Sequence, residues 1–366
     1  MLDIRPNYHR LRRCLPALAG AVTLGLAGAS AAGASDLVIA GAGWGHGVGM
    51  SQAGARGYAE RGWSYRAILA RYFTGTTIGA APAHARVRVL IGGRVRQLSL
   101  ESYVRGVVSA EMPSSWPLAA LEAQAVVSRT YALTAHAGGS KFDVYADTRS
   151  QVYRGAAAHT PQTDAAVAAT AGQVVTYAGR PAITYFFANS GGRTENVENA
   201  FPGSLPEPWL RGVLDPYDGG SLHSWTLTIG FSSAAARLGG LVRGRFAGIE
   251  VLRRGFSPRI ISAYVLGSGG RTLVSGAELA ARLGLRDTWA YFSVRNGTVV
   301  SAEPDRSGRP PSAGEAPPAL PPSGGASPGV GASPSADAQG GGQTAAAGAP
   351  ASSGAGASAG GTAAPV

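Results

Sequence analysis

Glu111 is the residue whose type and setting most invite chemistry. It follows Val104, Val107 and Val108 by seven, four and three residues, so on a helix it continues their apolar stripe rather than facing water. A carboxylate so placed either finds a cationic partner or keeps its proton with a raised pKa. A carboxylic acid protonated near neutral pH is what general-acid catalysis needs. Gln124 and Arg129 are the polar residues expected to turn back towards it. The pattern alone leaves a blander reading open. Most glutamates at helix ends are solvated or ion-paired, and Arg129 could equally serve Glu122 on its own helix.

Other constellations are weaker. Glycines at 41, 43, 45, 47 and 49 alternate with Ala42, Trp44, His46, Val48 and Met50. Period two predicts an extended segment with those side chains on one face and bare backbone on the other. No GxGxxG register fits it, which argues against a bound phosphate. Asn189 to Thr194 (NSGGRT) reads as a glycine turn carrying hydroxyls. Ser190, His46 and Asp147 can be written down as a triad, but no GxSxG elbow supports it. Trp44, Trp116, Trp209 and Trp225 are either core or platforms for sugar rings, core being the default. The histidines are scattered with no HExxH pair, and the one cysteine, Cys14, lies near the start. No metal site, disulfide or cofactor is predicted.

The elements that must position Glu111 are two helices joined by a Pro-containing elbow. Ser99 is a suitable N-cap and Glu101 falls in the first turn. Met112-Pro113 ends the first helix, and Ser115 is expected to cap the second, with Pro117 in its first turn. Leu121, Ala125, Ser128 and Ala132 then form a face of mostly small residues. Upstream, a strand is expected at Asp36 to Ala40, with short helices capped by Ser51 and Ser64 and ending at Gly62 and Gly75. Residues 87–91 and 95–98 suit a hairpin around Gly92-Gly93. Downstream come a helix at 163–171, a second hairpin at 173–177 and 182–187, and an irregular loop at 195–225. Strands at 225–230, 249–254, 259–267, 271–274 and 290–294, with helices at 233–238 and 276–283, complete a smaller lobe. The fold class is α+β: mixed helices and short antiparallel strands around a cleft.

The termini read differently. Arg5, Arg10, Arg12 and Arg13 precede an apolar run at 15–27 and small-residue cleavage options, so 1–34 is expected to be a signal peptide. No later apolar run is long enough to span a bilayer, so the mature chain is expected to lack a transmembrane segment. Residues 302–366 are rich in Pro, Gly, Ala and Ser and are expected to be a disordered tail, leaving 35–301 as the folded body. Net charge is +11, carried almost wholly by arginine. In an exported protein that charge suits an anionic surface such as a membrane, teichoic acid or peptidoglycan better than nucleic acid.

Several blocks resemble the stage II sporulation protein D / amidase enhancer LytB family, the SpoIID family. They are Tyr103 to Pro113 (YVRGVVSAEMP) with Leu121 to Ala132 (LEAQAVVSRTYA), Ser150 to Gly155 (SQVYRG), and Ser190 to Glu195 (SGGRTE). Trp44 to Gln52 (WGHGVGMSQ) matches the family's glycine motif, and with Leu283 to Arg286 the resemblance covers about residues 36–295. It implies an exported lytic transglycosylase, in the cell wall or outside the cell, acting on peptidoglycan glycan strands, in some members strands stripped of stem peptides. The acid maps to Glu111, an arginine near it to Arg129, and a hydroxyl of the glycine turn to Ser190. Trp44, His46, Gln124, Gln151, Tyr153, Gly191, Gly192 and Thr194 are then expected at the substrate. One acid/base suffices: Glu111 protonates the glycosidic oxygen, then accepts the proton of the muramic acid 6-hydroxyl as the 1,6-anhydro ring closes. The alternative is a non-catalytic wall-binding module that enhances a cell-wall amidase. Two departures stand out. The Cys and His that bind zinc in some members are missing around Ala146 to Ser150 and Phe187 to Asn189, and the glycine motif comes first in the chain rather than late.

Overall fold

The computed structural model describes residues 35–296 and 299–302. The signal peptide expected over 1–34 lies outside them, as does the expected tail beyond Ala302. The described residues are α+β, with short and mostly antiparallel sheets beside helices.

The first strand, β1 (Ser35–Ala42), leads through the glycine run to the two-residue β2 (Met50–Ser51). The run is not extended. Gly43, Gly45, Gly47 and Gly49 all have positive φ, so the backbone coils where strict alternation predicted a strand. At Gly49 a β-carbon would stand 2.2 Å from the Tyr185 carbonyl oxygen, so glycine there allows one backbone to lie against another. Ser51 and Ser64 cap α1 (Gln52–Ala59) and α2 (Tyr65–Tyr72), as expected.

After β3 (Thr77–Ala80), a hairpin of β4 (Arg86–Ile91) and β5 (Arg94–Ser99) delivers Ser99 to cap α3 (Leu100–Glu111). Ser115 does not cap the next helix. Pro117 is its N-cap residue, without a side-chain cap, and α4 runs Leu118–Thr134. Leu121, Ala123, Ala125, Val126 and Val127 are all buried, so α4 is enclosed rather than packed along one small-residue face. It packs against α1, α2 and α3, and against α5 (Pro161–Ala169) and β7 (Gln173–Tyr177). Between α4 and α5, β6 (Val144–Tyr145) pairs with β4. The second hairpin is shorter than expected. Its return strand is only β8 (Arg180–Pro181), and β9 (Phe186–Phe187) leaves it to pair in parallel with β2.

Beyond a short α6 (Val197–Ala200) and an irregular loop, the second lobe holds β10 (Ser224–Gly230), α7 (Phe231–Leu238), β11 (Phe246–Arg254), β12 (Ile260–Gly267), β13 (Gly270–Ser275), α8 (Gly276–Leu283), β14 (Ala290–Asn296) and β15 (Val299–Ala302). Its sheet order is β10-β1-β14-β15, and β11-β12-β13 forms a separate meander. The earliest strand is therefore interior, with Ile39 opposite both Leu227 and Phe292. Leu37, Ile39, Ile229, Leu238, Leu279 and Leu283 centre a core distinct from the one around α4.

Candidate functional site

Glu111 is the last residue of α3. Met112 follows in an extended conformation, so the chain turns away and leaves the carboxyl at the helix end. The segment after β6 closes on it. Val152 N–H donates to Glu111 Oε1 at 2.5 Å. Three contacts set that amide in place: Gln151 Nε2 donates to Ser128 O at 3.1 Å, Arg154 N–H to Gly106 O at 3.2 Å, and the Tyr153 ring stacks on Tyr103 with centroids 5.3 Å apart. Gly106 makes room for this stack, since a β-carbon there would lie 2.4 Å from the Tyr153 ring. Burial raises the Glu111 pKa above the ordinary carboxylate value. The Val152 amide, Gln52 and the Arg154 charge oppose the rise without cancelling it.

A cleft of about 460 Å³ opens over Glu111. One wall is the face of α1 that carries Gln52, Ala53, Arg56 and Gly57, spaced as one side of a helix, with Glu60 just beyond. Pro113 and Trp116 of the elbow form the rim. Ala188, Asn189, Tyr217 and residues 219–222 form the other wall. The Arg56 guanidinium lies 5.5 Å from the Trp116 ring centre and is ion-paired with Glu60 at 2.7 Å. Volume and lining suit a polar ligand with flat, apolar ring faces.

Among the residues expected at the site, Glu111 lines this cleft and the others do not. Arg129 does not turn back to Glu111. Its side chain is fully buried, with Nε and Nη2 each 2.8 Å from a Glu101 oxygen and Nη1 donating to Gln173 O at 3.0 Å. Its partner is Glu101 on the neighbouring helix rather than Glu122. Gln124 is buried and meets Gln52 (3.4 Å), which in turn reaches Glu111 (3.5 Å). Gln151 and Tyr153 act through the Val152 amide. His46 is packed among Tyr185, Phe187 and Phe201 and accepts from Val48 N–H at 3.1 Å. Burial, with the Arg259 charge second, lowers its pKa to about 4, so it stays neutral. Trp44 exchanges backbone hydrogen bonds with Asn189 (2.8 and 3.1 Å) and thereby places a residue of the cleft wall.

Ser190 faces a buried carboxylate pair that the sequence pattern did not reveal. Its Oγ donates to Asp215 Oδ2 at 2.9 Å and its N–H to Asp218 Oδ1 at 3.1 Å; Gly191 N–H donates to Asp218 Oδ2 at 3.0 Å. Tyr72 and Ser51 hydroxyls complete the cage at 2.8 Å, and His223 lies 3.2 Å from Asp218. Thr194 Oγ1 accepts from Val213 N–H at 2.9 Å, and Gly192 O accepts from Asp215 N–H at 2.8 Å. The Ser-Gly-Gly turn thus anchors the start of the loop that walls the cleft.

Burial, and then the charge of Asp218, pushes the Asp215 pKa up to about 7. A carboxyl whose folded pKa exceeds its unfolded value stabilises fully below the unfolded value and loses that contribution as pH rises through the folded one. His223, raised by its bond to Asp218, loses its contribution in the same direction. The thermal midpoint of the wild type is therefore expected to fall between about pH 5 and about pH 8. Asp215→Asn removes the repulsion and should flatten that fall. A wild-type midpoint that rises over this range would contradict the assignment.

Gln52, Trp116, Asn189 and Tyr217 complete the cleft. Gln52 was legible as the last residue of the glycine motif, and Trp116 as an aromatic beside the elbow. Asn189 lies in the glycine turn singled out from the sequence, though Ser190, Gly191 and Gly192 were the residues expected at the substrate, and nothing in the local pattern around Tyr217 marks a cleft wall.

Fold and site together define an α+β protein with one buried-leaning acid at the floor of an open cleft. Residues 92–177 match the family model described as stage II sporulation protein. Stage II sporulation protein D of Bacillus subtilis is 30% identical over 244 residues, 62% of this chain and 69% of its own length. An uncharacterized protein of Brachyspira hyodysenteriae is 38% identical over 141 residues, 38% of either chain. The amidase enhancer of Bacillus subtilis is 36% identical over 126 residues, 34% of this chain and 17% of its own length. The chain belongs to the stage II sporulation protein D family, and that membership supports a role connected with the cell wall.

Proposed function

We propose that the protein is an exported lytic transglycosylase that cleaves peptidoglycan glycan strands with Glu111 as its single acid/base. The observation that carries this reading is the setting of Glu111: a carboxyl with raised pKa, at the floor of an open cleft, with one oxygen already occupied. Because Val152 N–H holds Oε1 as an acceptor, the proton belongs on Oε2. Oε2–H donates to the glycosidic oxygen as the bond to C1 breaks and positive charge develops on the sugar. The muramic acid 6-hydroxyl attacks C1, and Oε2, now ionised, takes its proton. A 1,6-anhydro end forms, water does not enter, and Glu111 is left protonated for the next cycle. Hydrolysis, by contrast, uses two carboxylates flanking the bond. The other carboxylate at this cleft, Glu60, is exposed and ion-paired with Arg56, a setting that suits no second catalytic role.

Trp116 at the rim and Tyr217 on the far wall are the aromatic side chains that line the cleft, each with an arginine over its ring, and Trp116 is the one placed for sugar contact at the mouth. Trp116→Ala is expected to weaken strand retention about fivefold, on the order of 1 kcal/mol, with kcat little changed at saturation. Strand-pelleting assays measure it.

The activity test is digestion of purified glycan strands, with and without stem peptides, and mass analysis of the new ends. Anhydro ends, absent with Glu111→Gln, support the proposal. Reducing ends in their place would make the protein a hydrolase. Strand binding without cleavage, together with stimulation of an amidase, would replace the proposal with the enhancer role named for the Bacillus subtilis relative.

A further inference from the structure

Gln52 opens α1 with its side chain beneath the cleft, only 7% exposed. Its Nε2 faces three acceptors: Glu111 Oε2 at 3.5 Å, Glu111 O at 3.3 Å and Gln124 Oε1 at 3.4 Å. Two N–H bonds are shared among them, and every contact is long, so no one of them locks the amide. Behind Gln52, the buried Gln124 donates from Nε2 to Ser128 Oγ at 2.9 Å. The row ends in a hydroxyl, the one group that can turn from acceptor to donor without moving its heavy atoms.

In this direction the row presents N–H groups towards Glu111, which suits a carboxylate. It can also run the other way. With both amides turned over, Gln52 Oε1 accepts from a protonated Glu111 Oε2 and from Gln124 Nε2, while Gln124 Oε1 accepts from the Ser128 hydroxyl. The chain of donors and acceptors from Glu111 Oε2 to the Ser128 hydroxyl stays continuous in both arrangements, and inversion costs only the Gln52 bond to the Glu111 main-chain carbonyl.

We propose that Gln52, Gln124 and Ser128 form an invertible hydrogen-bond relay, with Gln52 the positioning residue that holds Glu111 both as acid and as carboxylate. Its catalytic use rests on the acid/base reading given above; its existence does not. Removing Gln52 takes away a donor that favours the carboxylate, so the Glu111 midpoint should rise.

The test is an NMR titration of the full chain, reading the Glu111 side-chain carboxyl carbon and the Gln52 and Gln124 side-chain amides. Gln124 bonds to Gln52 and Ser128 rather than to Glu111. The expected result is that its amide titrates with the Glu111 midpoint. Gln52→Met should silence that response and raise the midpoint by about half a unit. Gln52→Met with Gln124→Met should move it no further than Gln52→Met alone, the mark of coupled rather than independent sites. A Gln124 amide that stays flat through the Glu111 titration overturns the relay without any variant having to fold, and additive shifts overturn it too. The two readings fail separately. Coupled titration in a protein that never cleaves glycan retires the acid/base role and keeps the relay; cleavage with a flat Gln124 amide does the reverse.

Discussion

Glu111→Gln is expected to lower glycan cleavage by at least about 10²- to 10⁴-fold, the usual contribution of a positioned acid/base. The fold should survive. The substituted amide oxygen can still accept from Val152 N–H, which needs only a carbonyl at that position. Its new N–H donors meet Gln52, whose amide can present oxygen. The thermal midpoint should therefore stay within a few degrees of wild type, since exchanging a neutral acid for an amide creates neither a cavity nor a buried charge. Comparison of cleavage at equal strand occupancy separates chemistry from binding. A variant that retains wild-type kcat would remove Glu111 from the mechanism. Because burial is the main cause of its raised pKa, activity of the wild type should decline on the alkaline side as the resting acid loses its proton.

The second large effect is on stability, and it is asymmetric. Glu101→Gln should destabilise the protein by about 3–5 kcal/mol, the cost of stranding a buried charge. The stranded group is Arg129, whose side chain is wholly buried and which cannot shed its proton. Arg129→Met should cost less. It leaves Glu101, whose side chain is 38% exposed and can be hydrated, and which still accepts from Gly172 N–H at 3.1 Å. Urea denaturation of the two variants, with m unchanged, measures the difference. Folded Arg129→Met protein should keep most of its kcat. A loss of kcat in fully folded Arg129→Met would instead return Arg129 to the substrate.

Most of the elements were legible because each carries its own local signals. Ser99 with Glu101 marks the start of α3, the Gly92-Gly93 turn fixes the β4–β5 hairpin, and Gly284 ends α8 in the left-handed conformation. Helical spacing put Glu111 on the apolar side of α3, and the family resemblance singled it out as the acid. What spacing could not supply was partnership across the chain. Arg129 and Glu101 are 28 residues apart, and nothing in either helix states that they meet. The glycine run alternates as a strand would, yet its positive φ values exist to let the backbone coil past Tyr185 and Arg259. Ser190 looks like a hydroxyl waiting for substrate. Only tertiary structure brings Asp215 and Asp218 beneath it and turns it inward. Tyr217 was missed, and the wrong residues of the Asn189 to Thr194 turn were expected at the cleft, because both lie in irregular segments where side-chain direction has no period to read.

The interior position of β1 has a consequence for how the chain matures. This strand is made before its neighbours, yet its two partners are residues 224–230 and 290–296. Through most of synthesis it has no neighbour on either side, and until the final partner arrives one flank stays open to mispairing. Closure of that sheet therefore waits on nearly the whole folded body, a high-contact-order topology that favours slow folding. A chain cut short before residue 290 would retain every residue of the cleft but lack the strand that seals β1. Such a fragment is expected to aggregate, so the integrity of the glycine motif at the front depends on completion at the back.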